Sequence, residues 1–133
     1  MRRIVIIVVS LLMVVSMSAA DWTQFFDCQL HGDLPTEDSP EMVALVLGPA
    51  DNAGADSSGA HFIYVVTNFT TGDERHVEGD CTVYKADPKT LVLQIGGDGD
   101  VRRMVITAWN PATKMLNVRH DDGRIVTYRV VRR

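Results

Sequence analysis

The sequence predicts an all-β protein, mostly antiparallel, folded as a small meander barrel or sandwich of about six to eight strands. Three observations carry that expectation. Short runs rich in β-branched and aromatic residues recur along the chain, and Gly, Asp and Asn break them at intervals of about ten residues. The breaks suit tight turns, as in Gly99-Asp100, Asn110-Pro111 and Asp122-Gly123. Within the runs apolar and polar residues alternate, which gives a strand one face for a core and one for solvent. So many consecutive hairpin-linked strands close on themselves or stack, because a flat sheet would leave edges open to pairing with other chains.

The first 20 of the 133 residues stand apart. Met1-Arg2-Arg3 is a basic start, residues 4–15 are apolar except Ser10, and Ser18 and Ala20 place small side chains where a signal peptidase accepts them. Residues 1–20 are therefore expected to be a cleaved signal peptide. That leaves 21–133 as a single β-rich domain, secreted or periplasmic, with no stable membrane insertion. In an oxidising compartment Cys28 and Cys81 are expected to form one disulfide. Its loop closure would contribute about 4 kcal/mol.

Along that domain, residues 25–30 are the first expected strand and 61–68 (His-Phe-Ile-Tyr-Val-Val-Thr-Asn) the clearest. Residues 75–85, 90–95, 101–109, 115–120 and 124–131 follow. Alternation turns Val77, Cys81 and Val83 inward, then Leu91, Leu93 and Ile95, and on the last strand Val126, Tyr128 and Val130. In 101–109, Met104, Ile106 and Ala108 share one side, with Val105, Thr107 and Trp109 opposite. Two stretches break the rhythm. Ser39-Pro40-Glu41 and Gly48-Pro49 have the chemistry of a helix start and stop, which allows one short helix near 40–47. The apolar interior, 43–47, suits a buried strand equally. Residues 48–60 are poor in strand formers and are expected to be an exposed loop.

Charge is distributed unevenly. Residues 21–100 hold 15 acids and 3 bases, a net of −12, whereas residues 101–133 hold 2 acids and 8 bases, a net of +6. Either the two fields neutralise each other within the fold or they face different partners. In the second case Arg102, Arg103, Arg119 and Arg129, with Arg132 and Arg133, form a basic patch, and the acidic remainder attracts a protein with a basic surface. An acidic domain without interleaved aromatic and basic residues is not expected to bind nucleic acid. Trp22 and Phe69 are the aromatic residues expected nearest the surface, and so the contact anchors.

Residues that carry chemistry are few. Glu74, His76, Glu78 and Asp80 project from one strand face at spacing two, where His76, Glu78 and Asp80 could ligate a divalent cation. A solvated outer face is the commoner use of such a row. Asn68-Phe69-Thr70 is a glycosylation sequon on a hairpin tip, with Asn68 the acceptor. No nucleophile with a base and orienting group is marked out, nor a paired acid and base, so no catalytic residue and no cofactor is assigned. The expected function is that of an exported, non-catalytic module recognising a macromolecular partner, as an inhibitor, immunity or adhesion-type protein. The alternative is a carrier of a small apolar ligand, with Phe62, Tyr64, Leu93, Ile106 and Tyr128 lining a barrel cavity.

Overall fold

In a computed structural model, the chain is described over residues 20–32, 38–54, 56–95 and 99–132. The expected signal peptide, Ala20 excepted, lies outside these segments, as do residues 33–37, 55, 96–98 and Arg133. Strands take up 69% of the described residues, and the fold is an antiparallel eight-stranded closed barrel, as the sequence predicts.

After a 3-10 turn (Trp22–Phe25), the strands are β1 (Cys28–His31), β2 (Glu41–Leu47), β3 (Asp51–Gly54), β4 (Ser57–Asn68), β5 (Glu74–Tyr84), β6 (Asp87–Ile95), β7 (Asp100–Asn110), β8 (Met115–His120) and β9 (Ile125–Arg132). From β4 to β9 each strand pairs with the next. β9 then pairs with β1, β1 with β2, and β2 with β4, which closes the ring. The short β3 lies outside this ring of eight, on the start of β4.

Three local expectations are corrected. Residues 41–47 form a strand, not a helix, because β1 and β4 supply backbone partners on both sides and Val43, Leu45 and Leu47 alternate into the core. The stretch 48–60 is not all loop: β3 and the first residues of β4 pair across a tight reversal, with Gly54 level with Ser57. The first strand begins only at Cys28, since Trp22 to Phe25 wind into the 3-10 turn instead.

That turn is capped by its own sequence. The Asp21 carboxylate accepts the Thr23 N–H at 2.9 Å, and Gln24 Oε1 accepts the Asp21 N–H at 3.4 Å, the reciprocal arrangement of a capping box. Asp27 then takes a positive φ of 65°, a conformation that Asp tolerates, and turns the chain into β1. The turn plugs one end of the barrel. Trp22, expected near the surface, is fully buried there, its Nε1–H donating to the Met104 carbonyl at 3.0 Å. Phe25 meets Trp109 edge to face with ring centroids 4.9 Å apart. Trp109 reaches the core because the register of β7 against β8 shifts between Ile106 and Ala108, which interrupts simple alternation.

The expected disulfide is not formed: Cys28 and Cys81 are both buried free thiols. Strands β2 and β4 lie between β1 and β5, so the two cysteines are three strand steps apart, a path of about 14 Å at ~4.8 Å per strand. A disulfide joins Cα atoms about 4.4–6.8 Å apart. The ladders set Gln29 level with Val46, Ile63 and then Glu78, so Cys28 falls opposite Gly79, with Cys81 two positions beyond. Each thiol faces its own carbonyl, Cys28 that of Phe26 at 3.8 Å and Cys81 that of Ala60 at 3.3 Å.

Candidate functional site

The end of the barrel opposite the plug is different in character. On β7 the inner positions run Ile106, Met104, Arg102, Asp100, and on β8 Leu116, Val118, His120. Both strands thus change from apolar to polar on their inner face as they approach the mouth. There a half-open cavity of about 240 Å³ is lined by Phe62, Tyr64, Val77, Leu93, Ile95 and Met104 toward the core. Asp100, Arg102, Arg103, His120, Asp121, Asp122 and Arg124 surround it toward solvent.

Gly79 shapes the wall. It occupies an inner position of β5 between Val77 and Cys81, and a Cβ there would overlap the Gln94 carbonyl oxygen and lie 3.3 Å from the Phe62 ring. Only glycine lets β6 approach this closely while Phe62 packs over the bare backbone.

A polar relay runs along one wall. The hydroxyl of the fully buried Tyr128 lies 2.9 Å from His120 Nε2 and also hydrogen-bonds the Tyr64 side chain. Burial pushes the Tyr64 phenol above its ordinary value. Burial, reinforced by the positive charge of Arg124, holds His120 below the usual histidine value and so favours the neutral imidazole.

The loop from β8 to β9 is tied to this rim. Asp121 Oδ2 accepts the Arg103 backbone N–H at 2.8 Å, and Asp122 Oδ1 accepts that of Arg124 at 2.9 Å. The second bond, with the Arg124 guanidinium 3.8 Å from the other oxygen, holds the Asp122 carboxyl below its ordinary value. Arg102 has no ion-pair partner among the described residues. At the neighbouring strand ends Arg75 pairs with Glu41 at 3.7 Å.

Of the residues expected to line a carrier cavity, Phe62, Tyr64 and Leu93 do so. Ile106 is packed nearer the plug, and Tyr128 contributes through its hydroxyl from beneath. Val77, Ile95, Met104, His120 and Arg124 were not anticipated there; the apolar-to-polar change on the inner faces of β7 and β8 is the signal that points to them.

The basic residues do not form one patch. Arg102 faces the mouth, whereas Arg103, Arg119 and Arg129 alternate to the outside of β7, β8 and β9. The acidic ladder lies on the outer face of β5, three strand steps from β8. Its contacts are local: Glu74 with His76 at 2.8 Å, and His61 with Glu78 at 3.6 Å and Asp80 at 3.7 Å. Among the described residues no three of His, Cys, Asp and Glu are grouped to hold a metal, and His76, Glu78 and Asp80 are no exception. Phe69 is 59% exposed at the β4–β5 tip, where the Asn68 side-chain carbonyl accepts the N–H groups of Thr70 and Thr71.

Fold and site together define a class: an up-and-down antiparallel barrel, plugged at one end by an aromatic 3-10 turn and open at the other onto a small amphipathic cavity. No protein-family model matches the chain, and no curated protein or solved structure matches it either.

Proposed function

We propose that this barrel is a non-catalytic binding module that takes a small, largely apolar ligand into its open mouth. The observation that carries the reading is the half-open cavity of about 240 Å³ with an apolar floor and a charged rim. An apolar cavity of about 150 Å³ takes up benzene, so this one has room for a single ring or a short chain with a polar end. Eight strands is also the barrel size at which one small ligand fits inside. Three titratable groups at the rim are engaged in holding the structure, His120 to Tyr128 and Asp121 and Asp122 to backbone N–H groups, which suits binding rather than turnover.

A titration of the protein with benzene and with 1-hexanol, followed by NMR, tests this. Saturable shifts centred on Phe62, Leu93 and Met104 are expected, and Val77→Phe, which fills the cavity, is expected to abolish them while the fold persists. Absence of saturable binding by the unmodified barrel, or shifts centred elsewhere, would overturn the reading.

A second reading, recognition of a protein with a basic surface, draws on the exposed Phe69 and on Glu78 and Asp80 of the outer face of β5. Trp22 plays no part in it, being buried in the plug. Association rates that fall steeply with salt and drop on Phe69→Ala are its expected signature. Both roles are proposed for an exported chain, secreted or periplasmic, that begins at Asp21 after signal cleavage.

A further inference from the structure

We infer that the mouth cavity selects a small monocarboxylate, with the ligand's apolar body on the cavity floor and its carboxylate on Arg102. The inference rests on the mouth-cavity reading above and adds the chemistry of the ligand's polar end. Three observations carry it.

The first is the state of the charges. Arg124 is engaged with Asp122, whereas Arg102 and Arg103, which both line the cavity, have no ion-pair partner among the described residues, and the alternation outward from Met104 puts Arg102 on the inner face. The carboxylates of Asp121 and Asp122 already accept backbone N–H groups at 2.8 and 2.9 Å, which leaves them less able to take up a cationic ligand. A planar guanidinium is suited to a carboxylate because it offers two parallel donors.

Position is the second. Arg102 stands one inner-face step outward of Met104 on β7, level with Leu93 on β6. Two residues along a strand span about 6.6 Å. A body of about one aromatic ring, or about four to six carbons, therefore fits between the floor at Met104 and a head group at the guanidinium.

Third, the wall beside the floor carries no negative charge; the acidic neighbour of Arg102 is Asp100, one inner-face step further out toward solvent. Tyr64, Tyr128 and His120 are joined by hydrogen bonds, and the environment favours the neutral imidazole.

Isothermal titration of the full-length barrel with hexanoate, 1-hexanol and hexylamine separates the possibilities. Hexanoate is expected to bind about tenfold more tightly than 1-hexanol, the worth of a charge-assisted hydrogen bond at a partly exposed site. Arg102→Gln is expected to erase that preference while leaving the urea midpoint unchanged. Hexylamine binding as well as hexanoate, or a preference for hexanoate that survives Arg102→Gln, would overturn the carboxylate assignment and leave the cavity reading standing. Failure of all three probes to bind would overturn both.

Discussion

The Tyr128 hydroxyl lies 2.9 Å from Nε2 of His120, and this contact joins the packed interior of the barrel to its open mouth. Tyr128 is fully buried, so its hydroxyl has no water to fall back on, and it also bonds Tyr64. Replacing Tyr128 with Phe leaves two ring groups short of a partner. The expected cost is about 1–3 kcal/mol, read as a lower urea midpoint with an unchanged slope.

His120 makes stability depend on pH in a defined direction. Its folded value lies below the 6.5 of an ordinary histidine, chiefly because it is buried. Between 6.5 and that lower value the unfolded chain binds the proton and the folded chain does not, so stability falls as pH drops through this window. The urea midpoint of the wild type is expected to decline below pH 6.5 more steeply than that of His120→Gln. Parallel profiles for the two proteins would remove His120 from the account.

The free thiols give the opposite sign at the alkaline end. Burial pushes Cys81 from 9.0 up to about 12. Across that range the unfolded chain releases the proton while the folded chain keeps it, so stability falls as pH rises. Cys81→Ala is expected to flatten the alkaline slope. In a thiol-reagent assay the native protein is expected to react slowly and the denatured protein to yield two thiols per chain. A yield of none would mean that the disulfide forms after all.

Trp22 closes the plug in two ways, by volume and by its bond to Met104. Trp22→Ala is expected to cost about 3–5 kcal/mol through the void it leaves. Trp22→Phe keeps most of the volume but removes the indole bond to the Met104 carbonyl, for about 0.5–1.5 kcal/mol. Thermal unfolding of both variants separates the packing contribution from the polar one.

At Gly79 the added methyl group of Gly79→Ala would meet the Gln94 carbonyl and Phe62. Strands β5 and β6 must then part, at a cost of about 1–3 kcal/mol, and the cavity wall moves with them. A fall in urea midpoint together with weaker 1-hexanol binding is the expected pair of results.

Much of the barrel was legible before any coordinates. The strand from Thr90 to Ile95 could be read with its inner residues because β6 keeps strict alternation and has a partner on each side. The same reading misplaced Trp109, since the shift in β7 after Ile106 breaks the period of two. It also left 41–47 open, because a run of five apolar residues satisfies either periodicity until its neighbours are known. The site was legible only in part. Phe62, Tyr64 and Leu93 stand out as inward aromatic and apolar positions, whereas Arg102 read as a member of a surface patch and His120 only as the last residue of the expected strand 115–120.

The sequence by itself determined where the strands from β5 to β9 lie and, away from the shift in β7, which side chains share a face, because turn chemistry and alternation act over a few neighbouring residues. Tertiary structure alone decided that Trp22 enters the plug, that Cys28 and Cys81 stand apart, and that Arg102 and His120 meet Phe62 and Leu93 at one mouth. Those outcomes depend on which strands close the ring, in what register, and on a single register shift. They join residues dozens of positions apart, and no local pattern encodes that geometry.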